Sequence, residues 1–249
     1  RGLELLRLAV QPKRTVLAVE DNKNTAIEGL RRCMADFPEI ELTVLPTRYP
    51  QGAEKQLIRA VTGREVPAGQ LPSAVGCAVF NVSTCHAVYR AVEEGRPLTQ
   101  RIVTVTGQAV GKPGNYLVPI GTSFRDLLAA AGGLQVNARL VICGGPMMGR
   151  AQTDLGVSVM KATNCVLCLP QQMPAQPQPC IRCGRCVQVC PVHLQPLYLY
   201  RYACHRQELE RLHLFDCIGC GCCSYACPAK LPLTEQFRKS KQLVKEGRI

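Results

Sequence analysis

Two twelve-residue stretches constrain this chain more than anything else in it: "CIRCGRCVQVCP" from Cys180 to Pro191, and "CIGCGCCSYACP" from Cys217 to Pro228. Each reads C-x2-C-x2-C-x3-C-P. That spacing wraps three thiolates around one face of a cubane iron–sulfur cluster and sends the fourth to a neighbouring cluster, while the proline turns the chain out of the loop. With the fourth ligands crossed, Cys180, Cys183, Cys186 and Cys227 form one predicted set, and Cys217, Cys220, Cys223 and Cys190 the other. Zinc knuckles place two C-x2-C pairs across a longer gap and do not require four cysteines in so short a run. Disulfides between neighbours within a run would strain it, so none is expected. Gly184, Gly219 and Gly221 allow the tight turns that leave backbone N–H groups facing the inorganic sulfides. The pattern predicts two [4Fe-4S] clusters.

The chain holds 16 cysteines in 249 residues, 12 of them after residue 160, with a low-cysteine α/β pattern before that point. A disulfide-stapled secreted domain is shorter and stapled throughout, so metal ligation in a reducing compartment is the better reading. No apolar run approaches the roughly 18 residues of a membrane span, and the N-terminus lacks the apolar segment and cleavage site of a signal peptide. The chain starts without methionine in what reads as mid-helix, which suggests a processed or incomplete chain. A net charge of +12 could suit nucleic acid, but aromatics make up only 5% and Trp is absent, so there is no stacking platform, and the basic residues are scattered. An acidic electron carrier, a nucleotide or an anionic membrane surface would suit such a face equally.

Hydrophobic periodicity divides the chain in three. Over residues 1–98, "TVLAVE", "IELTVL" and "VGCAVFNV" read as buried strands, separated by the helical patterns "NTAIEGLRRCMADF" and "EKQLIRAVTG" and followed by "STCHAVYRAVEEG"; this alternation predicts a parallel, Rossmann-like α/β sheet. Over residues 99–169, "RIVTVTGQAV" and "GNYLVPIGT" read as a hairpin, "SFRDLLAAAGG" as a short capped helix, and "RLVICGG" and "VSVMKATNCVLCL" as further strands, a β-grasp-like order. "PQQMPAQPQP" reads as a linker. Residues 170–249 carry both cysteine phrases, separated by "LQPLYLYRYACHRQELERLHL", a helix-like stretch of some twenty residues, and followed by the basic helical "LPLTEQFRKSKQLVKEGRI". This order resembles an α-helical dicluster ferredoxin domain.

The other cysteines carry weaker signals. Cys222 is out of phase with its run and is expected in local packing. Cys165 and Cys168 form a lone C-x2-C at a strand end, where a structural role is favoured, and Cys33, Cys77, Cys85, Cys143 and Cys204 read as core. His86 reads as a partly exposed helix residue. In the α/β part, "EDNKNTAIEGL" and "RYPQGAEKQL" each bring polar groups to a helix N-terminus. There, ligand binding and plain capping, with Asn24 or Thr25 as N-cap and Glu54 as a first-turn acid, both fit.

Taken in order, "EDNK", "YPQGAEKQL", "TGREVPAGQLP", "VTVTGQAV", "PGNYLVPIGT", "GGPMMG" and the paired cysteine phrases resemble the family of C subunits of the Rnf electron-transport complex, a membrane-associated ferredoxin:NAD oxidoreductase. The likeness covers almost the whole chain. It implies an α/β domain related to the flavin subunit of respiratory complex I, a soluble-ligand-binding β-grasp module and a dicluster domain. It also implies FMN bound by Glu20, Asp21, Asn22, Lys23, Gly52, Glu54, Lys55, Asn81 and Thr84, with NADH as electron partner and the clusters passing electrons singly. Partners would be other subunits of the complex, including integral membrane subunits and a ferredoxin-like one, at the cytoplasmic face of the inner membrane, with ion translocation left to them. The family's glycine-rich phosphate-gripping segment lies upstream of the part present here. Gly107, Gly111 and Gly114 do not form such a motif and read as a turn. The alternatives are a related soluble reductase, such as a cobalamin reductase of the propanediol-utilisation type, and a flavin-free dicluster relay.

Overall fold

The computed structural model describes residues 1–136, 138–170 and 176–249; residues 171–175, half of the expected linker, fall outside them. The chain divides into two compact units, Arg1–Leu98 and Thr99–Ile249.

The first unit runs α1 (Gly2–Val10), β1 (Thr15–Glu20), α2 (Asn24–Cys33), β2 (Ile40–Leu45), α3 (Glu54–Thr62) and α4 (Val82–Glu93). Strands β1 and β2 pair in parallel from Thr15↔Ile40 to Glu20↔Leu45, the register a βαβ crossover through α2 produces. Ile27 of α2, Ile40 of β2 and Ile58 of α3 are its buried aliphatic side chains. Helix α1 lies so close to α4 that a Cβ on Gly2 would overlap the Cys85 carbonyl group, so glycine is required there. The expected third strand, Val75–Val82, does not form. Residues 72–75 are a 3-10 turn ending at left-handed Gly76, and the described residues after it have no ladder partner. Phe80 and Val82 are accordingly exposed: apolar composition suits a strand, but without a neighbouring strand its N–H and C=O groups have nothing to pair with.

The second unit begins with β3 (Gln100–Thr106), β4 (Gly114–Pro119), α5 (Phe124–Ala130), β5 (Ala138–Cys143), β6 (Arg150–Gln152) and β7 (Cys165–Pro170). The sheet order is β4-β3-β7-β5-β6, with β3 and β7 parallel at the centre and the other neighbours antiparallel. This is the expected β-grasp order, with the short β6 unannounced by its sequence and the strand expected over residues 157–169 starting only at Cys165. Alternation in β3 sends Val103 and Val105 inward against Phe124, Leu127 and Leu128 of α5. Burying Phe124, 1% exposed, contributes about 1.5–3 kcal/mol. Ser123 caps α5, accepting from the Asp126 N–H and donating to its carboxylate. Gly107 is held at φ 113°, where a Cβ would overlap the Cys168 carbonyl oxygen; close packing of the sheet, not a ligand, explains this glycine.

The same unit continues with α6 (Arg185–Gln188), α7 (Pro196–Arg201), α8 (Arg206–Arg211), α9 (Cys222–Ala226) and α10 (Leu233–Lys245). These helices enclose a separate core of Leu194, Leu199, Leu209, Leu214, Leu231, Leu233 and Phe237. The single long helix expected between the cysteine phrases is two six-residue helices, α7 and α8. A straight helix of twenty residues would span about 30 Å and carry the two phrases apart. The break leaves the Ala203 carbonyl free of the helix ladder, and it accepts a 2.8 Å hydrogen bond from Ser240 of α10, which is fully buried. Of the five cysteines expected in the core, Cys33 and Cys204 are exposed and Cys77, Cys85 and Cys143 are half-buried, whereas Cys168, expected in a structural role at a strand end, is fully buried. Cys33 ends a helix and Cys204 lies in the α7–α8 break, where little chain remains to cover them.

Candidate metal centres and flavin loops

The two cysteine phrases fold as copies of one another. In each, the residue before the second cysteine is left-handed (Arg182 φ 55°, Gly219 φ 67°), as is the residue after it (Gly184 φ 77°, Gly221 φ 86°). A short helix then carries the third cysteine, Cys186 on α6 and Cys223 on α9. The correspondence continues past the prolines through "CPVHL" and "CPAKL". His193 and Lys230 both take φ 54°, and the leucines after them, Leu194 and Leu231, are both buried. The glycines announce part of this pattern. Arg182, His193 and Lys230, which adopt the same region without being glycine, do not, and neither do the two leucine anchors.

The copies face each other, and α6 packs on α9. One cavity is lined by Cys180, Cys183, Cys186 and Cys227, with Leu197 and Leu233 beside them. A second is lined by Cys190, Cys217, Cys220 and Cys223, with Leu194, Ile218 and Phe237. The fourth cysteine of each phrase thus sits with the first three of the other. Cys222 also lines the second cavity instead of pointing into separate packing. It starts α9 immediately before Cys223, so the turn that delivers Cys223 brings it along.

The donor sets suit a thiolate-bound cluster. Both are all-sulfur in apolar surroundings, and N–H groups already point at sulfur: Arg182 N–H to Cys180 Sγ at 3.4 Å and Leu194 N–H to Cys190 Sγ at 3.3 Å. Such bonds favour the thiolate over the thiol. Burial works against it, raising the thiol pKa values of Cys186 and Cys217 and pushing Cys223 up to about 11 and Cys222 up to about 12. A positively charged metal offsets that penalty, since a coordinated thiol is deprotonated outright. Among the described residues no three His, Cys, Asp or Glu side chains converge on a point fit for a single ion; the thiols instead surround a space.

In the first unit, Glu20 ends β1 and Asp21, Asn22 and Lys23 follow it at the carboxyl end of the parallel pair, where open α/β sheets bind ligands. The Asp21 carboxylate accepts from the Thr47 hydroxyl at 2.6 Å and the Thr47 N–H at 3.0 Å, which lowers its pKa and ties the loop after β1 to the loop after β2. Neither Asn24 nor Thr25 caps α2. The N-cap position is Lys23, and neither α2 nor α3 has a side-chain cap, a kind of helix start suited to an anion. Glu54 opens α3 as expected, and Lys55 donates to the Pro67 carbonyl at 3.0 Å. Gly52 has no positive φ and no atom within 4 Å of a built Cβ. The fold does not demand glycine there, but a ligand lying against the backbone would. Asn81 caps α4 by accepting from the Ser83 N–H at 2.9 Å, and Thr84 lies in the first turn of that helix. His86 is exposed, its ring tilted against Tyr89.

Comparison with known proteins agrees with this division. Residues 1–90 match the Nuo51 FMN-binding domain, 102–151 the SLBB domain and 179–231 the 4Fe-4S dicluster domain. FMN and two [4Fe-4S] clusters, the cofactors expected from the sequence, are therefore those of the matched families. The chain is 44% identical over 248 residues to the C subunit of the ion-translocating oxidoreductase complex of Pectobacterium carotovorum, covering 97% of this chain and 33% of that protein. It is 43% identical to the Salmonella typhimurium protein of the same name, covering 100% of this chain and 34% of that one. It is also 43% identical over 200 residues to the C subunit of the proton-translocating ferredoxin:NAD(+) oxidoreductase complex of Clostridium ljungdahlii, covering 80% of this chain and 44% of the relative. The resemblance to these C subunits read from the sequence is thus borne out, and the chain spans between a third and a half of the length of these relatives.

Proposed function

We propose that this chain is the electron-relay region of the C subunit in a membrane-bound ferredoxin:NAD oxidoreductase of the Rnf type. The observation that carries the reading is the segregation of eight cysteines into two crossed sets of four around two cavities. In this reading Cys180, Cys183, Cys186 and Cys227 hold one [4Fe-4S] centre, and Cys190, Cys217, Cys220 and Cys223 the other. FMN supplies two-electron exchange with NADH, and the clusters supply one-electron transfer. The protein's part is to bind and orient. Glu20, Asp21, Asn22 and Lys23 border the flavin, the uncapped starts of α2 and α3 face its anionic oxygens, and Gly52 leaves room for the ligand against the backbone. Lys55, Glu54, Asn81 and Thr84 complete the proposed pocket. Crossed ligation holds the two centres close together, and α10, through Phe237 and Thr234, covers the second one.

The relay docks peripherally at the cytoplasmic face of the inner membrane through integral membrane subunits and a ferredoxin-like subunit, which carry out ion translocation. Among the described residues no helix is long and apolar enough to cross a membrane. The test is to titrate the anaerobically purified chain with FMN and then NADH, following flavin fluorescence and cluster absorbance. Stoichiometric flavin and NADH-dependent bleaching are expected. Intact clusters with no flavin binding at any concentration would leave a dicluster relay alone.

A further inference from the structure

Helix α10 reaches the second set of cysteines with two polar side chains, Thr234 at a sulfur and Lys241 at a backbone carbonyl. Thr234, 8% exposed, places its hydroxyl 3.6 Å from Cys223 Sγ and 2.9 Å from the Ser224 hydroxyl, and its own N–H donates to Ser224 Oγ at 2.9 Å. Either oxygen of the hydroxyl pair could donate, and the chemistry of ligation decides between them. A metal-bound Cys223 is a thiolate and can only accept, so the Thr234 hydroxyl donates to the sulfur. Ser224 then donates to Thr234 Oγ1 while accepting the Thr234 N–H. Every group in the chain is satisfied in one orientation only, and that orientation points a proton at Cys223. Seven residues along α10, the half-buried ammonium of Lys241 donates to the carbonyl of Cys217, a second member of the same set. Around Cys180, Cys183, Cys186 and Cys227 the described residues offer a backbone N–H but no hydroxyl or ammonium hydrogen bond to sulfur.

We propose that Thr234 and Lys241 are potential-setting residues for the centre held by Cys190, Cys217, Cys220 and Cys223, and for that centre alone, so that α10 makes the two centres electrochemically unequal. One electron added to a centre raises the negative charge on its sulfurs. A hydroxyl proton and a nearby cation stabilise that reduced form and raise the potential. This rests on the proposed ligation of two [4Fe-4S] centres, and the test keeps the two ideas apart. The full chain and its Thr234→Val, Thr234→Ser and Lys241→Met variants are purified anaerobically, their iron and sulfide counted, and each titrated with dithionite while EPR follows both centres. Valine matches threonine in shape but has no hydroxyl, and serine retains one. The expected result is a more negative midpoint for one centre in the Thr234→Val and Lys241→Met variants, an unmoved midpoint for the other, and recovery in Thr234→Ser. Full iron with no shift, or an equal shift of both midpoints, overturns the inference while leaving the ligation intact. Absence of iron from the unaltered chain overturns the ligation on which it rests.

Discussion

In the first phrase Cys180 and Cys183 are exposed and Cys186 and Cys190 half-buried, whereas in the second Cys217 is half-buried and Cys220, Cys223 and Cys227 are buried. The two phrases have the same spacing and the same backbone turns, so the difference comes from what lies against them. The second phrase is covered by α10, through Phe237 and Thr234, and by the loop after β5, whose Met147 approaches Gly221. The first cavity meets α7 through Leu197 and Tyr200 and α10 only through Leu233 at its first turn. Spacing therefore selects which thiols meet, and the flanking chain selects how much water they see. Water access and local dielectric are among the levers that set a cluster's potential and its resistance to loss.

The largest effect should come from the crossed ligands. Cys227→Ser, although in the second phrase, is expected to remove the centre of the first cavity, and Cys190→Ser that of the second. Each variant would keep about four of eight irons, with the surviving EPR signal differing between the two. If Cys227→Ser instead removes the centre shared with Cys217 and Cys220, the sets are not crossed. Next in size is packing. Phe237→Ala, at 2% exposure beside the second cavity, should cost about 3–5 kcal/mol. Leu197→Ala, half-buried beside the first, should fall at or below the ~2 kcal/mol low end for such truncations. Equal losses in thermal unfolding of the two holo-variants would remove the asymmetry. Smallest is the pair of equivalent glycines. Gly184→Ala meets nothing within 4 Å and should cost only the left-handed penalty of about 1–2 kcal/mol. Gly221→Ala carries the same penalty and also brings its Cβ to 2.9 Å from the Met147 carbonyl oxygen, so its melting temperature should drop further.

Local spacing announced the cysteine sets, the hairpin of β3 and β4 and the Ser123 cap, because each is decided within a dozen residues. What escaped the sequence depends on distant partners. Val75–Val82 is apolar enough for a strand but finds no ladder. Tyr198 to Arg211 has a continuous helical pattern, yet the chain breaks where Ser240 can satisfy the Ala203 carbonyl. Thr234 and Lys241 look like ordinary residues of a basic helix until the fold lays that helix across the second cavity. The proposed flavin loops lie between these cases. Their polar residues fall at helix starts, as the pattern required, but the bond from Thr47 to Asp21 joins loops 26 residues apart and has no local signature. Gly52 stands out only once the structure shows that nothing around it needs a glycine.

The most direct test of the central claim is to count iron, acid-labile sulfide and zinc on the anaerobically purified chain, with EPR of the same sample after reduction. About eight irons and eight sulfides per chain, as two [4Fe-4S] centres contain, with magnetically interacting reduced signals, is the predicted result. Zinc in place of iron, or about four irons in a chain with all eight cysteines intact, would contradict it.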